Sequence, residues 1–204
     1  MAKNIPGAPV FPPDRGSQHS CEDAHRLALH HGPLPPEAAS GRIEHATLNI
    51  RIDRHGVWYY QGSPIHRKSL VCLFASVLTR DASGEYWLVT PREMGRIDVE
   101  DAPFIAVELF AARSGHKQIL SVRTNVDEIV TIDEDHPITV VTDPKSGEPS
   151  PYVTVRQGID ARLSRSVYYE LVDIGVEESC EGVHMFGVWS SGCFFPLGSM
   201  DMSV

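Results

Sequence analysis

Residues 61–78 read QGSPIHRKSLVCLFASVL, and residues 157–172 read QGIDARLSRSVYYELV. In each stretch a Gln-Gly pair closes a strand-like run, VWYY (57–60) before the first and PYVTVR (151–156) before the second. Apolar residues then recur at intervals of three and four, the period of a helix with one apolar stripe. The stripe is Ile65, Leu70, Leu73, Phe74, Val77 and Leu78 in the first stretch. In the second it is Ile159, Leu163, Val167, Tyr168, Leu171 and Val172. Counted from the isoleucine, Leu73 falls on Val167, Phe74 on Tyr168, Val77 on Leu171 and Leu78 on Val172. A glycine turn and a strand follow each: GEYWLVTP (84–91) and GVHMFGVW (182–189). Self-similarity of this kind points to a duplicated unit.

Working outward, Leu48, Ile50 and Ile52 alternate with polar residues, the period of a half-buried strand, and Asp53-Arg54-His55-Gly56 turns it back into VWYY. Pro64 suits the first turn of the first helix, where its missing N–H would be unpaired in any case, and Asp81-Ala82-Ser83-Gly84 ends that helix. The second half is mostly strand: FIAVELFAA (104–112), KQILSVRT (117–124), EIVTI (128–132), and HPITVVT and PYVTVR flanking the turn-forming DPKSGEPS (143–150). The expected fold is α+β, with two related units, each an antiparallel sheet carrying one packed helix. The expected division is an N-terminal arm and short helix over 1–44, a first unit over 45–95 and a second over 96–204. Within the arm, residues 1–16 are Pro-rich and polar and read as loose, SQHSCEDAHRLALHHG (17–32) reads as a short helix, and PLPPEAASG (33–41) as a linker.

The chain has 204 residues, 42% of them apolar, and a net charge of −9. That length buries a core without staples. The acidic balance excludes the basic footprint of non-specific nucleic-acid binding and disfavours docking on anionic lipid. No stretch approaches the ~20 apolar residues of a spanning helix, and the N-terminus lacks the apolar core of a signal peptide. The expected location is therefore the cytoplasm. Cys21, Cys72, Cys180 and Cys193 form no C-x-x-C pair and read as free thiols in a reducing compartment.

The blocks DRHGVWYYQGSPIHRKSLVCLFASVL, EYWLVTPREM, VEDAPF, RTN, PYVTVRQGIDARLSRSVYYELV and VWSSGCFFPLG, in that order, resemble bacterial domain-of-unknown-function family 1285 across about residues 45–198. The resemblance implies a cytosolic α+β protein with a duplicated core and a second half similar to a pleckstrin-homology fold. It implies no established activity. It brings the idea of a nucleotide-like ligand held in a groove between the halves, with a role in signalling.

Several residues carry candidate chemistry. Glu93, Glu100 and Asp101 lie in a charged cluster between the two units, where Arg92 and Arg96 hold the acids ionised. Arg156 ends a strand, Arg67 holds a related place in the first unit, and Arg162 and Arg165, three apart, share a face of the expected second helix. The guanidinium fork suits a phosphate or carboxylate. Internal salt bridges to Asp98, Glu100, Asp101 or Glu170 are the competing use of these arginines. VWSSG fails the nucleophile-elbow pattern because Val188 stands where a small residue is required, so Ser190 reads as a backbone or ligand contact. His19, Cys21, His25, His30 and His31 lack the spacing of a metal site, and there is no P-loop or G-x-G-x-x-G, so no cofactor or metal is expected. These features point to a ligand-binding or signalling module holding a small anionic, nucleotide-like molecule between its units. One alternative is an enzyme using Glu93 or Asp101 as base with Arg156 or Arg162 clamping an anion. The other is a protein-binding scaffold.

Overall fold

The computed structural model describes residues 3–4, 43–45, 47–144, 147–180 and 183–199. The chain divides into two compact units. The first comprises Pro12–Phe104 with Gln157–Ile159, and the second Met1–Phe11, Ile105–Arg156 and Asp160–Val204. The arm read as loose contributes strand β1 (Lys3–Asn4), which pairs in parallel with Phe110 and Ala111. The helix expected over 17–32 lies outside the described residues. No helix among the described residues is long and apolar enough to cross a membrane.

The first unit contains β2 (Ile43–His45), β3 (Ile50–Ile52), β4 (Trp58–Tyr60), β5 (Ser63–Pro64), α1 (Lys68–Ser76), β6 (Leu78–Arg80), β7 (Tyr86–Val89) and β8 (Glu93–Val99). Their sheet runs β5-β4-β3-β8-β7-β6, with β2 also on β8. Neighbours are antiparallel except around β8, which takes both β2 and β3 in parallel.

Two hairpins of this unit share one device. Asp53 Oδ1 accepts from the amides of His55 (2.8 Å) and Val57 (3.0 Å), and its Oδ2 from the Tyr59 hydroxyl (3.1 Å). Asp81 Oδ1 accepts from the amides of Ser83 and Glu85 (both 2.9 Å), and its Oδ2 from Trp87 Nε1 (2.8 Å). In both, the aspartate binds the amides two and four residues on and the aromatic tip six residues on. The glycine at the third place, Gly56 or Gly84, has positive φ (73° and 89°), a conformation side-chain-bearing residues resist. Asp81–Gly84 is thus the β6–β7 hairpin turn and not the end of a helix.

Helix α1 is shorter than the apolar pattern suggests. Pro64 lies in β5, opposite Tyr59 at the sheet edge, where its missing N–H breaks no ladder bond. Leu78 belongs to β6, paired with Leu88. The buried face of the helix is Cys72 and Ala75, while Leu73 is 43% exposed. Cys72, read as a free thiol, is in a disulfide whose partner lies outside the described side chains.

The second unit is built on β9 (Phe104–Ala112), β10 (Ile119–Thr124), β11 (Ile129–Thr131), β12 (Ile138–Thr142), β13 (Pro149–Arg156), β14 (Ile159–Leu163), α2 (Arg165–Asp173), β15 (Val176–Cys180), β16 (Val183–Ser190) and β17 (Cys193–Ser199). One sheet runs β11-β10-β9-β14-β13-β12, and β15-β16-β17 form a second, three-stranded sheet. Ile159–Leu163, read as the start of a helix, is strand: Ile159, Ala161 and Leu163 are buried in alternation. The helix starts afterwards, where the Ser164 hydroxyl accepts from the Val167 amide at 3.4 Å. Such a cap contributes about 1 kcal/mol. Val167 and Leu171 are fully buried, each worth about 1.5–3 kcal/mol of transfer free energy.

The fold is α+β and duplicated. The order strand, Gln-Gly turn, strand, nine-residue helix, three-stranded meander occurs twice along the chain. The copies differ in where the meander goes. In the first unit β8 joins β3 and completes one sheet; in the second β15–β17 remain a separate sheet.

Candidate functional site

In the first unit, α1 does not close fully onto the sheet. Between them lies a cavity of about 480 Å³. Its walls are Leu48 and Ile50, Tyr60, Ile65, Leu70 and Phe74 of α1, Val77, Leu88, and the Thr90–Gly95 corner through Thr90, Glu93, Met94 and Gly95. The volume lies within the range of small-molecule sites, and the walls are mainly apolar with a few polar residues, Tyr60, Thr90 and Glu93. Gly95 lets Leu48 lie against the sheet: a Cβ there would stand 2.5 Å from Leu48 Cγ. Behind the wall, Trp58 stacks on Phe74 with ring centroids 6.3 Å apart. The Trp58 indole N–H is buried with no hydrogen-bond partner among the described residues.

Of the residues singled out from sequence, Glu93 alone lines this cavity. Glu93 N donates to Thr90 Oγ1 at 3.0 Å, and Thr90 Oγ1 donates to Glu93 O at 2.9 Å, fixing the turn into β8. Arg67 stands at the N-cap of α1 with its Nε on Ser69 Oγ at 3.1 Å. Glu100 pairs with Arg51 and receives the Arg54 amide at 3.2 Å. Asp101 is half-buried after β8.

The arginines of the second unit are engaged inside it. Arg156 Nη1 holds both carboxylate oxygens of Glu128, at 3.1 and 2.9 Å. Arg162 and Arg165 do not share a helical face, because Arg162 is in β14 and Arg165 opens α2. Arg162 reaches Ser150 Oγ at 3.4 Å; Arg165, 87% exposed, lies 3.8 Å from Glu148. Ser190 is fully buried, its hydroxyl donating to the Ile132 carbonyl (2.6 Å) and accepting from the Leu120 amide (2.9 Å). That is a structural strut between β16 and the β10–β11 region.

The carboxyls whose acidity departs clearly from ordinary all move down. Burial raises Asp53, but the Val57 and His55 amides and the Tyr59 hydroxyl outweigh it. The Ser83 hydroxyl, with the Trp87 indole and the Glu85 and Ser83 amides, holds Asp81 at about 2. Burial raises Asp133, and the His136 ring and amide reverse it. Each is a turn-forming aspartate, so these shifts report hairpin architecture rather than acid–base chemistry. Sequence reasoning missed a cluster in the second unit. His116 stacks on Trp189 at 4.2 Å, Trp189 packs on Phe194 at 5.5 Å, and Trp189 Nε1 donates to Glu178 at 3.0 Å. Strand register sets Trp189 opposite Phe194, whereas His116 comes from the turn at Gly115–Lys117. Among the described residues no group of three His, Cys, Asp or Glu is disposed to hold a metal ion. The His-rich segment lies outside them.

Two family models match the chain. Residues 42–102 match the N-terminal domain of a domain of unknown function, DUF1285, and residues 103–197 match the C-terminal domain of the same family. The crystal structure of a DUF1285 family protein from Silicibacter pomeroyi DSS-3 is similar at 40% identity and TM-score 0.73, covering 88% of this chain and 95% of that one. A DUF1285 family protein from Shewanella baltica OS155 is 28% identical over 59% of this chain and 87% of its own, with TM-score 0.47. No curated protein matches.

Proposed function

The chain belongs to the DUF1285 family, and we propose that it is a small-molecule-binding module whose ligand occupies the apolar cavity of its first unit. The observation that carries this reading is the cavity itself: about 480 Å³ walled by Leu48, Ile50, Ile65, Leu70, Phe74 and Met94. An apolar recess of this size, open to solvent beside an amphipathic helix, has the volume and lining of a small-molecule site.

The part of the ligand held by these walls is apolar on this reading. The nucleotide-like anion suggested by the arginine pattern loses support, because Arg156 is engaged by Glu128 and Arg165 lies beside Glu148, while no arginine is among the described residues lining the cavity. The enzyme alternative, Glu93 or Asp101 as base with Arg156 or Arg162 clamping an anion, loses support because neither arginine is among the described residues lining the cavity. A signalling role would follow if occupancy alters α1, whose Leu70 and Phe74 form one wall.

The test uses N-phenyl-1-naphthylamine, an uncharged probe that brightens in apolar sites. Saturable binding at one site per chain is expected, and it should be lost in Leu70→Trp, which fills the cavity. At a hundredfold excess over Kd, a ligand binding only the folded state adds about 2.7 kcal/mol. That is a rise of about 5–11 °C in Tm for a chain of this length. No saturable binding, or equal binding to a folded Leu70→Trp protein, overturns the reading.

A further inference from the structure

Resting on that cavity reading, we infer that the ligand is an amphiphilic cation, an apolar body ending in an ammonium group, with Glu93 as its counter-charge. Glu93 is the one charged side chain among the described residues that line the cavity. It is exposed, so its carboxylate lies at the rim, where a ligand's polar end meets water, and not at the apolar floor.

Tyr60 adds a second, independent preference of the same sign. Its ring lines the cavity and is 50% exposed, which presents an aromatic surface at the opening. Aromatic faces attract ammonium groups and repel carboxylates through the ring quadrupole. No lysine or arginine joins the described lining to receive an anion, and the protein carries a net charge of −9, which concentrates cations near its surface. Thr90 adds little selectivity because its hydroxyl is already spent on the Glu93 backbone in both directions. Glu93 has an existing contact, which an entering ammonium would exchange for its own.

The shape of the cavity suits this class. The apolar walls from α1 and the sheet take the hydrocarbon body, and Thr90 and Glu93 supply polar groups at the β7–β8 corner. A molecule with one charged end and one apolar end satisfies both parts, whereas a molecule polar throughout would strand its groups against Leu70, Phe74 and Met94.

The experiment is displacement of N-phenyl-1-naphthylamine by three molecules of one chain length: dodecylammonium, dodecanol and dodecanoate, all below micelle-forming concentrations. Dodecylammonium should displace the probe at least about tenfold more tightly than dodecanoate, with dodecanol between them. Glu93→Gln should bring the cation and the alcohol to within about twofold while leaving dodecanol unchanged. The cation preference should also weaken as salt rises, as a rim charge requires. Dodecanoate binding as tightly as dodecylammonium, or a cation preference that survives Glu93→Gln, overturns the inference while the cavity reading stands. Failure of the probe itself to bind the wild-type protein overturns the cavity reading, and this inference with it.

Discussion

Replacing Asp81 tests the physical account of the first unit most directly. Its two oxygens accept from the Ser83 amide (2.9 Å), the Ser83 hydroxyl (2.6 Å), the Glu85 amide (2.9 Å) and Trp87 Nε1 (2.8 Å). Asp81→Ala removes every one of these acceptors from the β6–β7 turn. Hydrogen bonds to a charged group contribute about 1.5–3 kcal/mol each when solvent cannot replace them. Here water reaches the turn amides, so the expected loss is about 2 kcal/mol and not the sum. That corresponds to a fall in Tm of about 4–8 °C. Asp81→Asn should lose less at neutral pH, because it keeps one acceptor oxygen.

The pH dependence supplies a sharper check. The carboxyl sits at about 2 in the folded protein against 3.8 ordinarily, so as pH falls the unfolded chain takes up the proton first. The stability from Asp81 is therefore complete above about pH 4 and is lost as pH drops through about 2. Urea unfolding followed by circular dichroism between pH 5 and pH 2 should show the gap between wild type and Asp81→Asn closing over that window. A gap that stays constant, or an Asp81→Ala loss below about 0.5 kcal/mol, refutes the argument that the carboxylate organises the hairpin.

Two further predictions separate structural from ligand-contacting roles in the second unit. Ser190→Ala takes the hydroxyl acceptor from the buried Leu120 amide, while the Ile132 carbonyl keeps the Ser191 hydroxyl at 3.1 Å, and should lower stability by about 2 kcal/mol in thermal melts while leaving probe binding to the first unit unchanged. A double-mutant cycle of Arg156→Met and Glu128→Gln should give a coupling of about 1 kcal/mol or more, since both side chains are largely shielded and joined by two short hydrogen bonds. A coupling near zero would mean that Arg156 is held for something other than Glu128.

Local chemistry was legible in the sequence. Alternation at Ile50 and Ile52, the Asp–Gly turn at 53–56 and the Gln-Gly pairs before each helix are properties of a few adjacent residues, and each appears where the pattern places it. The repeated order of strand, turn, helix and strand follows from the same local signals, so the duplication was visible without coordinates. Helix boundaries were not, because Ile159, Ala161 and Leu163 satisfy both a period of two and the start of a helical stripe. Only pairing within a sheet decides between those periods, and the Ser164 cap marks the outcome.

The site depended on the tertiary structure almost entirely. Glu93 was named from its charge, but its place at a cavity rim arises because β8 lies between β3 and β7 while Leu48 covers Gly95. Nothing local to Glu93 encodes that arrangement. The arginines show the converse: their spacing suggested an anion clamp, and their partners Glu128 and Glu148 come from strand ends and loops that sequence adjacency does not join. A residue's type and period set what it is able to do nearby. Which distant carboxylate reaches it, and whether a helix seals onto its sheet or leaves 480 Å³ open, is set by packing among segments far apart in the chain.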